Sequence, residues 1–365
     1  MEITRLKQYL YPVFIISVFI FSIGLLTNAL IYCEWHDFDI FYNSAKAALA
    51  GKSIYVISGP HHLPFWYLPW TAWFYIPFAV WPRAFALILY KCVTILCTIC
   101  TVQYLTHYYN PNFKFLDKIL ILSLIIPMTL QLFILGQMDY ILLALIVIIM
   151  YAIEQKKDVL AGVLFPLLWI KPHLLIVFTL FAFWRSGKRT VLISLATSAF
   201  MLGIESILSP SWPLDMLNLL RGGAEKTISV GFITLPILLG FPENLVGTAN
   251  LSITIPLIIL AILIVWKFRS LPTFPLLSLA LAASLFCAPR AYAYDLTLLI
   301  PVIIWLTAYK FSSTFWQWIA AAAIPFLTGY SPYAYLLTLL IFLLAIQKSH
   351  NALLSDPSTL HKKLS

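Results

Sequence analysis

The chain has 365 residues, of which 62% are hydrophobic and only 10% charged, and its formal net charge is +9. Soluble domains average about 45–50% apolar and about 25% charged residues, so this composition leaves too little polar surface to coat a water-soluble globule. The positive charge does not point to nucleic acid, because in a chain this apolar Lys and Arg mark the cytoplasmic loops of a membrane protein.

The N-terminal stretch "MEITRLKQYLYPVFIISVFIFSIGLLTNALIYC" carries basic residues and then a long apolar run. The run is too long for a signal-peptide core and lacks a small-residue cleavage site, so it reads as a retained first span over 10–33 with the N-terminus cytoplasmic. Further apolar runs are continuous rather than alternating, which predicts helices and not a barrel. The first outer segment, 34–83, opens with "WHDFDIFYNSAKAALAGKSIY". This pattern predicts a short amphipathic helix at the membrane surface, with acids at its N-terminus where the helix dipole favours them. Next comes "FWYLPWTAWFYIPFAVWP", residues 65–82, interrupted by Pro69 and Pro77 and bounded by Pro64 and Pro82. Its prolines and interfacial aromatics predict a segment that dips into the outer leaflet or lies along it without crossing.

Charge distribution supports that reading. Spans at 84–105, 118–135 and 138–153 leave the basic loops "HYYNPNFKFLDK" and "EQKKD" inside only if 65–82 does not cross. The apolar region around "LLWIKPHLLIVF" has basic clusters on both sides. It predicts two half-helices meeting near the outer face, with Lys171 and Pro172 at the tip. A span at 190–208, a second outer loop at 209–248, and spans at 249–266, 275–288, 291–309, 314–329 and 333–346 complete the chain, with the C-terminus inside. The expected architecture is an all-α polytopic membrane protein forming one transmembrane domain over 1–365, with about 10–12 transmembrane helices and short interfacial helices in the first outer loop. The five cysteines, Cys33, Cys92, Cys97, Cys100 and Cys287, read as buried thiols without a disulfide framework or zinc site.

The outer face of this topology collects the unusual polar residues: Asp37, Asp39, His61, His62, Gln137, Asp139, Lys171, His173, Arg221, Arg290 and Asp295. Ionisable groups at membrane depth are costly and are either paired or functional. The bland readings are a snorkelling or salt-bridged Lys171, an Arg290–Asp295 ion pair, interfacial solvation of the two histidines, and helix capping by Asp37 and Asp39. The functional reading joins them. A carboxylate takes a proton from an attacking hydroxyl, and Lys or Arg stabilises a departing phosphate.

The order "DFDIFYNSAKAALAGKSIY", "FWYLPWTAWFYIPFAVWP" and "LGQMDYILLALIVIIMYAIEQKKDVLAGVLFPLLWIKPHLLIVF" resembles glycosyltransferase family 87, enzymes of the GT-C type that use polyprenyl-phosphate sugars. Asp37, Phe41, Tyr42, Gly51 and Tyr55 match the family's first motif, Gly136 and Gln137 its Gly-Gln, and Lys171 and Pro172 its Lys-Pro. "YLPW" departs from the family's Tyr-Pro-Pro-Leu and keeps one of two prolines. The match is closest over about residues 10–190.

The resemblance implies a GT-C fold and an inverting transfer of a hexose such as mannose. The donor would be a polyprenyl-phosphate sugar and the acceptor a lipid-linked or glycan hydroxyl, at the extracytoplasmic face of a prokaryotic cell membrane. It implies Asp37 as catalytic base, with Asp39 as rival, and Lys171 and Arg290 as ligands of the donor phosphate. Tyr42, His61, His62, Gln137, Asp139, His173, Arg221 and Tyr294 are expected around the substrate, with no metal and no cofactor. A transporter or lipid flippase is the alternative, since broken helices and buried charges occur there too. A third reading is a non-catalytic membrane assembly subunit.

Overall fold

A computed structural model describes residues 36–55, 64–113, 132–221, 243–288, 291–308 and 333–354, with isolated positions between 12 and 31 and at 118 and 121. All regular structure among the described residues is helical.

Helix α1, His36–Leu49, carries Asp37 and Asp39 in its first turn. Its apolar stripe, Phe38, Phe41, Tyr42 and Ala45, is buried at helical spacing. The stripe packs on α2, Pro69–Ala79, which starts with proline at its first position, where a missing N–H costs nothing. At 11 residues, α2 rises about 16 Å, roughly half the thickness of a bilayer core. Helix α3, Arg83–Tyr109, has 27 residues and rises about 40 Å. An aromatic cluster locks the three together. The Phe41 and Tyr75 rings stack at 4.6 Å, Phe38 lies 5.1 Å from Tyr90, and the Tyr75 and Tyr90 hydroxyls pair at 3.1 Å.

Helix α4, Asp139–Glu154, is followed by α5, Asp158–Leu164, and by 3-10 turns at Phe165–Ile170 and Pro172–Leu174. Helix α6, Ile176–Ser186, then leads into α7, Lys188–Leu208, through Gly187 at φ 88°. The chain folds back on itself at Lys171. Phe165 and Phe183, on opposite sides of the break, have ring centroids 4.3 Å apart. The Thr190 hydroxyl at the start of α7 reaches Asp158 at the start of α5. Residues 158–170 and 176–186 therefore form two short arms packed together, with Lys171 at the turn.

The remaining helices are α8, Trp212–Arg221; α9, Glu243–Lys267; α10, Thr273–Phe286; α11, Ile300–Ala308; and α12, Tyr333–Leu354. Helix α10 is buried from Thr273 through Leu285 and packs against α6, α9, α11 and α12. Its Ser284 accepts from the Phe178 N–H at 2.8 Å, satisfying one of the unpaired donors at the start of α6. The expected continuous span at 291–309 differs in form: a 3-10 turn, Ala293–Leu299, precedes the nine-residue α11. The backbone there is diverted by the buried carboxylate of Asp295. The expected spans at 118–135 and 314–329 fall largely outside the described residues.

The outward faces of the longest helices are apolar. Ile88 and Leu96 on α3, Leu192 and Phe200 on α7, and Ile255 and Leu263 on α9 are each exposed by more than half. Among the described residues, two helices, α3 and α7, are long and apolar enough to cross a membrane.

The α5–α7 contact generates a stability prediction. A Cβ at Gly162 would stand 2.6 Å from the Ile193 Cβ and 2.9 Å from the Thr190 carbonyl, whereas one at Gly203 would meet nothing within 4 Å. Gly162→Ala should cost about 1–3 kcal/mol, read as a lower unfolding midpoint in detergent, and Gly203→Ala should not lower it.

Candidate active site

Lys171 sits between two 3-10 turns because Pro172 follows it. A residue before proline is pushed out of the helical region, and Lys171 has φ −131° and ψ 63°. Its side chain is thereby aimed into the bundle, 3% exposed. Asp139 is the first residue of α4, where the helix dipole favours a carboxylate. The preceding Gly136 adopts φ 75° and lets the chain turn; the Gly136 and Gln137 N–H groups both donate to the Leu132 carbonyl. Asp295 lies in the Ala293–Leu299 turn, and its Oδ2 accepts from the Tyr292 N–H at 2.6 Å.

These elements meet at one point. The Lys171 ammonium donates to Asp139 Oδ1 at 2.9 Å, Asp139 Oδ2 at 2.8 Å and Asp295 Oδ1 at 2.8 Å. Asp139 meets the ammonium with both of its oxygens and Asp295 with one, so the cation is held between the two acids. Asp139 and Asp295 are 0% and 1% exposed. The Tyr294 ring lies 4.6 Å from the ammonium and closes another side. One cation therefore sits between two carboxyl groups in a dry interior.

Asp37 joins the cluster through Gln137, whose Nε2 donates to Asp37 Oδ2 at 2.6 Å. The Tyr67 hydroxyl faces Gln137 and lies within the electrostatic reach of Asp37, Asp139 and Lys171. Asp37 keeps partial exposure, while its neighbour Asp39 is engaged elsewhere. Arg83 grips Asp39 with Nε at 2.6 Å and Nη2 at 2.7 Å, a bidentate pair that ties α1 to the start of α3. The two acids, two residues apart, are separated by about 200° around the helix and end in different surroundings.

The other sequence candidates are distributed around this centre. Tyr42 is buried, donates to the Trp81 carbonyl at 2.8 Å and carries Lys46 over its ring, so it helps hold the α1–α2 corner. His173 lies half-buried two residues beyond Lys171. Arg221 is the last residue of α8. His61, His62 and Arg290 lie outside the described residues.

Lys171, expected to hold a phosphate, is engaged by Asp139 and Asp295. For Asp295 one reading was an ion pair with Arg290; the structure shows its contact with Lys171, and Arg290 lies outside the described residues. Tyr67 and Glu205 were passed over because both lie inside apolar runs with no local pattern to single them out. Glu205 is 3% exposed near the end of α7, and the Trp73 indole donates to it. In the outer segment, burial pushes the Tyr55 phenol up, with Glu205 and Asp215 adding to the shift. Tyr55 in turn donates to the Tyr67 carbonyl at 3.1 Å.

The triad predicts a large stability effect. Lys171→Met should strand two buried carboxylates and cost about 3–5 kcal/mol, read from thermal unfolding. The triple change Lys171→Met, Asp139→Leu, Asp295→Leu should recover much of that loss, because it removes the charges together.

The model of glycosyltransferase family 87 matches residues 65–291, a stretch that includes Gln137, Asp139 and Lys171 and stops short of Asp37 and Asp295. No curated protein and no solved structure matches the chain. The family match covers well over half of the sequence, and the chain belongs to glycosyltransferase family 87.

Proposed function

We propose that this glycosyltransferase moves a hexose, mannose being the leading candidate, from a polyprenyl-phosphate carrier to a lipid-linked or glycan hydroxyl, with inversion. The observation that carries the reading is the contrast between two acids two residues apart. Asp39 is clamped by a guanidinium, while Asp37 is partly exposed and accepts from the Gln137 amide at the rim of a buried charged cluster.

In this reading Asp37 removes the proton from the acceptor hydroxyl. The freed oxygen attacks the anomeric carbon from the face opposite the phosphate. The bond from that carbon to the phosphate oxygen breaks, and the electron pair leaves with the polyprenyl phosphate. Glycosyl transfer passes through an oxocarbenium-like state that carries positive charge on the sugar. Carboxyl groups fixed in a dry site, as Asp139 and Asp295 are by Lys171, suit such a state. Lys171 therefore acts as the holder of two carboxylates. The cation proposed to meet the leaving phosphate is Arg290, two residues ahead of Tyr292 in the chain.

We place the protein in a prokaryotic cell membrane as a multi-pass protein of GT-C type, with cytoplasmic termini and an extracytoplasmic site. What supports this is the apolar outer surface of α3, α7 and α9, together with the charge distribution of the loops. The apolar flank gives a lipid-linked donor a lateral route to the site.

Asp37→Asn should lower transfer of radiolabel from a polyprenyl-phosphate hexose by about 10²–10⁴-fold while leaving the unfolding midpoint in place. Full activity in that variant would remove Asp37 as the base. Asp39→Asn should lower the midpoint by freeing Arg83, with residual transfer scaling with the folded fraction. For topology, a cysteine at position 114 should be labelled by impermeant maleimide only after the cytoplasmic side is opened. Labelling in intact cells would mean that 65–82 crosses.

A further inference from the structure

Among the described residues four buried side-chain atoms have no hydrogen-bond partner: Trp70 Nε1, Thr71 Oγ1, Gln137 Oε1 and Glu205 Oε2. Their residues are 4%, 0%, 3% and 3% exposed. An unpaired polar atom in a protein interior is costly, and each one calls for a partner. These four are not scattered. Trp70 and Thr71 belong to the first turn of α2, Gln137 faces Tyr67 just before that turn, and Glu205 is held by Trp73 just after it. All four sit on or against residues 67–73, and the amide of Gln137 also donates to Asp37.

Their chemistry limits what satisfies them. Gln137 Oε1 and Glu205 Oε2 need donors, the Trp70 indole needs an acceptor, and the Thr71 hydroxyl takes either. A phosphate offers only acceptors and would be repelled by Glu205. A lipid tail offers neither. An ammonium answers Glu205 but not the indole. A set of hydroxyls, each donating and accepting, answers all four. We propose that Trp70, Thr71, Gln137 and Glu205 form a subsite that reads the hydroxyls of a pyranose ring next to Asp37. The ligand class rests on the transferase reading, and the ring belongs either to the donor hexose or to a sugar on the acceptor.

The test uses purified full-length protein in detergent, with methyl α-mannoside, α-glucoside and α-galactoside as probes in thermal unfolding. At least one hexoside should raise the midpoint of the parent protein. Trp70→Phe keeps the aromatic body and drops the N–H, and Thr71→Val keeps the shape and drops the hydroxyl. Each should weaken the hexoside response by roughly tenfold. Without sugar their midpoints should stay level or rise, because an unpaired buried group has gone. Loss of binding without loss of stability is a signature that a packing role does not give. Glu205→Gln should weaken the response as well.

Two arms identify the source of the ring. If it is the donor's, the variants raise KM for polyprenyl-phosphate mannose in slow hydrolysis without acceptor. If it is the acceptor's, hydrolysis is unchanged and only acceptor KM rises. The proposal is overturned if no hexoside shifts the parent, or if parent and variants respond alike, in which case internal water fills these positions. Loss of transfer in Asp37→Asn beside such a result would leave the transferase reading standing and remove only the subsite.

Discussion

One ammonium between two carboxylates organises the centre of this molecule. Lys171 binds Asp139 and Asp295, which lie 32 and 124 positions away in the chain, and all three side chains are almost fully enclosed. Burying three charges is expensive, and the arrangement is tolerable only if every proton and every carboxylate oxygen is matched. That demand fixes three backbone irregularities. The folded-back segment must break at Lys171, α4 must begin at Asp139, and the chain before α11 must run as a 3-10 turn to deliver Asp295. Gly136 and Pro172 are the residues whose backbone limits make those breaks possible.

The same constraint separates the roles of neighbouring residues. Lys171 and its two carboxylates form the buried polar floor of the site. Asp37 stands at the rim of that floor and accepts from Gln137, while Asp39 faces the other way and fastens α1 to α3. The division is geometric: two helical steps, about 200° of rotation, separate the acid in the structural ion pair from the acid at the polar centre.

Much of this was legible in the sequence. The acids at the start of α1, its i, i+3, i+4, i+7 apolar stripe, the proline-bounded 65–82 segment and the break at Lys171-Pro172 all follow from local rules. The long-range pairings did not. Nothing near Asp295 says that Lys171 is its partner, because a contact across 124 residues leaves no local spacing to read. The 3-10 winding of Ala293–Leu299 ahead of α11 was hidden for the same reason: hydropathy sees an apolar run and not the hydrogen bonding of the buried Asp295. Glu205 stayed hidden as a single acid in an apolar helix, and only the three-dimensional placement of Trp73 gives it meaning.

The account stands or falls on where the sugar sits. The most direct measurement is a structure of the protein with a non-hydrolysable polyprenyl-phosphate hexose bound. The account requires the pyranose against residues 67–73, its anomeric carbon open to an acceptor oxygen beside Asp37 at about 3–3.5 Å, and the phosphate on the far side of the ring. A sugar lodged away from Asp37, or a phosphate held between Lys171 and Asp37 on the side of attack, would contradict it.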